Sequence, residues 1–433
     1  MLDRFANDAG HAAAAAAGAA GRLALNLRGE DVAWIRAVRS EVNARILDQR
    51  EVVDGVLAAL LCRGHVLIES NPGLGKTSLV KAFAAALGIR PADVGRIQFT
   101  PDLLPSDITG TLMRREHGDG LAFVRGPVFK WLLLADEINR ASPKTQAAML
   151  EAMAEKQVTV LGRTYALPDG EVLENGVRPQ GAAAPGGAEL PFMVLATQNP
   201  IDHEGTWELP EAQADRFMFK LLMGLPSSQS LKRIANGDLE AARGGDARDG
   251  AGDHRDASAR LARIGRAVRT VPLAQSVQDH VLNLVQASNG NWSEVAGVAG
   301  RDLEALRRFV ARYLQYPLGP RAAIALFDGA KAFHVVRDVR ADEVHRLTRQ
   351  APSADPLWHA LLPALRHRLK FVPDWDRLAR DDRLISDGDT EAAARDRVIA
   401  AFIMACAPTS EERRGLGAFL TALFAARAAG DGG

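Results

Sequence analysis

His65-Val66-Leu67-Ile68-Glu69-Ser70-Asn71-Pro72-Gly73-Leu74-Gly75-Lys76-Thr77-Ser78 is the stretch whose reading decides the fold. It opens with an apolar run of strand length, turns through two glycines, and runs into a helical stretch from Ser78 to Leu87. Strand, glycine-rich turn and helix in that order form the context of a phosphate-binding loop. Gly73 and Gly75 let the backbone curl so that its N–H groups point inward at phosphate oxygens, and the helix N-terminus adds its positive dipole end. Lys76 supplies a full charge to the β- and γ-phosphates of ATP, and the Thr77 hydroxyl can ligate Mg²⁺. Asn71, Pro72, Gly73, Leu74, Gly75, Lys76, Thr77 and Ser78 are therefore the expected nucleotide-binding residues. A plain turn and helix cap would not explain why both flanking elements are present. Ser70 stands where the GxxxxGK[ST] pattern has its first glycine. If that position needs positive φ, serine adds roughly 1 kcal/mol of strain and weakens nucleotide binding.

Further along, the apolar run Trp131 to Ala135 ends in Asp136-Glu137. A buried parallel strand delivers its C-terminal residues to the sheet edge where the phosphate loop lies. There Asp136 is expected to hold the hydration shell of Mg²⁺, and Glu137 to polarise the attacking water. The runs HVLIE (65–69), RIQF (96–99), WLLLAD (131–136), FMVLAT (192–197) and FMFKLLM (217–223) alternate with helical stretches. That alternation predicts an α/β fold with a parallel sheet and helices on both faces.

At 433 residues the chain is long enough for more than one compact unit. Lys+Arg and Asp+Glu balance at 53 each, so no overall field draws it to nucleic acid or an anionic membrane, and the natural partner is another protein. The two cysteines, Cys62 and Cys406, fall outside any metal pattern and fit a reducing compartment, so a cytoplasmic location is expected. The N-terminus makes a poor signal peptide, and the apolar runs are too short to cross a bilayer, so no membrane insertion is expected. Residues 1–28 are Ala-rich and read as flexible, while Val32, Ile35, Val38, Val42 and Ile46 form a helical stripe. Two stretches rich in glycine, about 168–190 and 236–258, read as long loops. After Leu261 the pattern is helical to the end, with no convincing strand.

At this point a family resemblance becomes specific. RIQFTPDLLPSDITG (96–110), GPVF (126–129), LLLADEINRASPKTQAAMLEAMAEKQVTV (132–160), LATQNPIDHEGTWELPEAQADRF (195–217) and GPRAAIAL (319–326) closely resemble, in order, the MoxR family of AAA+ ATPases. The resemblance implies an AAA+ core over 29–226 with a helix-2 insert at about 108–124. It further implies an α-helical lid over 227–350, a C-terminal helical extension over 351–433, and a hexameric ring. Within that ring Asn199 resembles the sensor that orients the lytic water, Arg216 the finger that reaches a neighbour's γ-phosphate, and Arg321 the lid sensor. A structural ion pair with Asp215 or Glu211 is the plain alternative for Arg216, and Arg140 is its rival for the trans role. For Asn199 the alternative is a turn residue, and for Arg321 a solvated surface side chain. The family usually carries a serine near Leu318 and a tyrosine where Trp207 stands.

The resemblance implies an ATP-driven remodelling motor or chaperone acting on a protein client or metalloenzyme complex, with a partner bearing a von Willebrand factor A (VWA) domain. Two other readings compete with it. A DNA-directed AAA+ protein is disfavoured by the neutral charge and the lack of a recognisable helix-turn-helix. A nucleotide-responsive scaffold with little turnover sits poorly with Lys76, Asp136, Glu137, Asn199 and Arg216 all in place. The Arg366-His367-Arg368 cluster reads as a solvated helix face rather than an anion site, the histidines have no zinc-ligand spacing, and Gln49, Ile46 and Val52 lie where an adenine pocket or an ordinary helix face is expected.

Overall fold

The computed structural model describes residues 27–114, 121–173, 177, 192–199, 207–236, 254–338 and 355–431. Most of the Ala-rich N-terminus, the tip of the expected insert, most of both glycine-rich loops and the junction near 351 lie outside the described residues.

The chain enters through α1 (Gly29–Arg45) and α2 (Arg50–Leu61), then β1 (Val66–Ser70), α3 (Lys76–Leu87), β2 (Val94–Gln98) and the single turn α4 (Pro105–Thr109). A hairpin, β3 (Gly110–Arg114) and β4 (Leu121–Arg125), precedes β5 (Leu132–Asp136) and α5 (Pro143–Glu155). A small antiparallel sheet, β6 (Gln157–Val160), β7 (Arg163–Ala166) and β8 (Val172–Leu173), comes before β9 (Met193–Gln198), α6 (Glu211–Ala214) and β10 (Phe219–Met223). The main sheet is wholly parallel in the order β10-β1-β9-β5-β2, so all five predicted strands form and share one C-terminal edge.

Side-chain alternation explains why these strands read as unbroken apolar runs. Val66, Ile68, Leu132, Leu134, Met193 and Leu195 pack into one core with α1, α2 and the later helices. Leu67, Leu133, Ala135, Val194 and Ala196 pack into a second core with α5 on the opposite face. A parallel sheet covered on both faces has no polar side to show. His65, just before β1, is held inside this structure: its Nδ1 accepts from the Val194 N–H at 3.0 Å and its Nε2 donates to the Met153 carbonyl at 3.2 Å. Burial lowers its pKa to about 4, so the ring is neutral.

Beyond the sheet the helices are α7 (Ser228–Ala235), α8 (His254–Arg269), α9 (Gln275–Ser288), α10 (Gly300–Tyr313) and α11 (Pro320–Phe333). They are followed by α12 (Asp355–Leu365), α13 (Trp375–Asp381), α14 (Glu391–Cys406) and α15 (Ser410–Asp431). One departure from an all-helical reading is a short antiparallel pair, β11 (Leu314–Tyr316) with β12 (Lys370–Phe371). Two or three residues per strand are too few for a period-two pattern to register in sequence.

Buried ion pairs join the layers. Asp31 of α1, fully buried, accepts from the Arg263 guanidinium of α8. Asp54 of α2, equally buried, accepts from Arg39 Nη2 at 2.8 Å and from Arg337 Nη1 at 2.8 Å.

Candidate nucleotide site

The turn after β1 curls where glycine permits it. Gly73 and Gly75 take φ of +83° and +86°, the left-handed region, and nothing lies within 4 Å of where a Gly73 Cβ would sit. Gly75 caps α3, whose first residue is Lys76. Ser70 is the last residue of β1 and does not lie in the left-handed region, so the strain considered for serine there does not arise. Its hydroxyl is buried without a hydrogen-bond partner. Lys76 Nζ donates to the Ser70 carbonyl at 3.3 Å. Partial burial lowers the Lys76 pKa, while the carboxylates of Asp136 and Glu137 push it back up. β1 and β5 both run parallel to β9, so the loop after β1 and the carboxylates at the end of β5 lie at one edge of the sheet.

Asp136 ends β5 and is 8% exposed, and Glu137 turns out of the strand with φ 57° and ψ 51°. A non-glycine residue in that region costs on the order of 1 kcal/mol, so something must hold it. The holder is Thr197 of β9, fully buried, whose hydroxyl donates to Asp136 Oδ1 at 2.7 Å and accepts the Glu137 N–H at 2.9 Å. The Glu137 carboxylate is met by Gln98 Nε2 at 3.2 Å and Arg140 Nε at 2.9 Å, and Arg96 donates to Asp136 Oδ2 at 2.7 Å. Arg140 therefore engages its own chain's carboxylate here.

Thr197, Arg96 and Gln98 were not singled out in the sequence. A lone hydroxyl inside FMVLAT fills a valine-sized place in an apolar run, and only the pairing of β9 with β5 and β1 puts it beside Asp136. Thr197→Val keeps the shape but orphans the Glu137 N–H. We expect a loss of about 1–3 kcal/mol, read as a lower denaturation midpoint. An unchanged midpoint would remove Thr197 from this role.

The remaining expected residues form a second group. Asn199 follows β9 directly and is 7% exposed. Arg216 sits between Asp215 and the fully buried Phe217, and its buried Nε has no partner among the described residues. Among the described residues the ion pair with Asp215 or Glu211 does not form. Asp215 is taken instead by Arg368 Nε at 2.7 Å and Arg321 Nη1 at 3.6 Å. Arg321 opens α11 behind Gly319 and Pro320, with its side chain 56% exposed. Gln49, considered for an adenine pocket, donates instead to the Gly224 carbonyl at 2.8 Å, and Ile46 and Val52 are core residues.

The Arg366-His367-Arg368 cluster corrects the sequence reading. It is not a solvated face: Arg366 is 4% and His367 7% exposed, and the Arg368 side chain is 4% exposed. Leucine neighbours gave the impression of a helix surface, but at the end of α12 the chain turns these three side chains into the junction with β10.

A family model described as the ATPase family associated with various cellular activities matches residues 65–182 and 185–219. The uncharacterized protein YeaC of Bacillus subtilis is 48% identical over 186 residues, 43% of this chain and 51% of that one. Chaperone MoxR1 of Mycobacterium tuberculosis is 44% identical over 194 residues, 45% of each chain. The matched part thus spans about half the length of these two relatives. Protein MoxR of Paracoccus denitrificans is 28% identical over 358 residues, 77% of this chain and 94% of that one. A solved structure of a candidate ATPase from Cytophaga hutchinsonii superposes with a TM-score of 0.61 at 28% identity, covering 88% of this chain and 97% of that one. Together with the parallel sheet and the glycine turn and carboxylates at its edge, these likenesses support a MoxR-family AAA+ ATPase.

Proposed function

We propose that the chain binds ATP with Mg²⁺, hydrolyses it as a ring, and spends the energy on remodelling a protein client. The observation that carries this reading is that the loop holding Lys76 after β1 and the Asp136-Glu137 pair at the end of β5 lie at the same C-terminal edge of one parallel sheet. The left-handed Gly73 and Gly75 fit a loop that wraps phosphate, and the hard oxygen donors Thr77 and Asp136 fit Mg²⁺. Bound Mg²⁺ would neutralise charge on the phosphate oxygens. Lys76 binds the β- and γ-phosphates, Glu137 takes the proton of the attacking water, and Asn199 orients that water. Thr197 keeps Glu137 in its strained turn. Arg321 closes on nucleotide from the lid, and Arg216 acts on the site of the next subunit.

The name chaperone carried by one relative supports a protein client. A hexameric ring, a VWA-domain partner and a cytoplasmic setting follow from the family resemblance and the cysteine usage. Among the described residues no helix is long and apolar enough to cross a membrane.

The test is Mg²⁺-dependent ATP hydrolysis across a protein concentration series. Turnover per subunit should rise with concentration and vanish in Lys76→Ala. Glu137→Gln should retain nucleotide binding while turnover falls by about 10²–10⁴-fold. Loss of nucleotide binding in Glu137→Gln, or wild-type binding without turnover at any concentration, would count against this reading.

A further inference from the structure

The end of α12 grips the backbone on either side of Arg216. Arg368 Nη2 donates to the Asp215 carbonyl at 3.1 Å and to the Phe217 carbonyl at 2.6 Å, and its Nη1 donates to the Met218 carbonyl at 3.0 Å. Its Nε holds the Asp215 carboxylate at 2.7 Å. His367 Nε2 adds a second donor to the Phe217 carbonyl at 2.9 Å, and Arg366 Nη1 reaches the Lys220 carbonyl at 3.1 Å. Burial and the neighbouring Arg368 charge push the His367 pKa well below its ordinary value, so the ring is neutral and carries its proton on the nitrogen facing that carbonyl.

This grip answers a local need. Residues 215–218 lead into β10, the edge strand of the sheet, and have no ladder to take their carbonyls. Buried carbonyls require donors, and a planar guanidinium offers five in a fixed fork. The acceptors Arg368 uses on this segment lie within two residues of Arg216, whose own Nε has no partner among the described residues. The Asp215 carboxylate also lies 3.6 Å from Arg321, so one acidic side chain joins the lid arginine to the clamp.

We propose that Arg368 is a positioning residue for Arg216, aiming it across the subunit interface, and that Asp215 links this aim to Arg321. The proposal rests on reading Arg216 as a finger that acts in trans. A residue that works through the neighbour's site should matter more in the subunit donating the finger than in the one receiving it.

Mixed rings separate the two. Receivers carry Arg216→Ala and an intact site; donors carry Lys76→Ala and an intact Arg216, so turnover in the mixture comes from receiver sites served by donor fingers. Adding Arg368→Gln to the donor should lower that turnover by roughly 10–100-fold, the scale of a misplaced catalytic group. Adding it to the receiver should cost roughly tenfold less. If Arg368→Gln does not fold, Arg368→Lys, which keeps the charge but not the fork, takes its place in the same two positions. Equal losses in both placements, or no loss in the donor, would overturn the proposal while leaving the finger reading intact. Failure of the plain Lys76→Ala donor to restore any turnover would instead sink the finger reading, and this proposal with it.

Discussion

Arg216→Ala should lower ATP turnover by on the order of 10³-fold or more at concentrations where the wild-type ring is assembled, with nucleotide affinity of the single chain unchanged. An arginine in trans neutralises charge that develops on the transferred phosphoryl group, so its loss raises the barrier without weakening ground-state binding. Three local facts favour Arg216 for this task over a structural role. Its backbone is anchored by the buried Phe217, its Nε has no partner among the described residues, and the adjacent Asp215 is already taken by Arg368 and Arg321. Arg140, the rival, is engaged with Glu137 of its own chain. Steady-state hydrolysis beside a nucleotide-binding titration reads both quantities. A turnover within a few-fold of wild type would transfer the role to Arg140.

Asp396→Ala should cost about 3–5 kcal/mol of stability, because removing one partner of a buried ion pair strands the others. Asp396 of α14 is 1% exposed and accepts from Arg366 Nε at 2.8 Å, Arg366 Nη2 at 2.7 Å and Arg427 Nη1 at 2.8 Å. Its loss would take the carboxylate from Arg366, just past α12, leaving it the Lys220 carbonyl at 3.1 Å, and from Arg427 of α15, leaving it Glu51 at 2.6 Å. The pH dependence follows from the same contacts. Burial pushes the Asp396 pKa up, but Arg366 and Arg427 together outweigh it, so the folded value lies below the ordinary 3.8. A depressed carboxylate pKa contributes stability that is fully present above that ordinary value and is lost as pH falls through the folded one. The gap in thermal midpoint between wild type and Asp396→Ala should therefore be widest near neutral pH and narrow below about pH 4. A difference under about 1 kcal/mol at neutral pH would show that the junction relaxes around the missing charge.

The sheet was legible because its signals are local. HVLIE, WLLLAD and FMVLAT are apolar apart from their end residues, as a parallel strand covered on both faces must be. The glycines at 73 and 75 announce a turn that other residues resist, and both take left-handed φ. By contrast, β11 and β12 are too short to carry a period, and they pair only because the fold brings residues 314–316 beside residues 370–371.

What the sequence alone determined, then, is the five strands of the main sheet, the glycine turn after β1, and the carboxylates at the end of β5, since each depends on neighbours a few residues away. Tertiary structure decided which polar side chains became structural. Thr197 lies 60 residues from Glu137 yet holds its N–H, and Arg368 lies about 150 residues from the carbonyls it clamps. A buried donor and its acceptor must meet, but that requirement leaves no mark on the spacing between them. An arginine among leucines therefore has the same local pattern whether solvent or a distant carbonyl receives it, and only the packing of α12 against β10 chose the carbonyl.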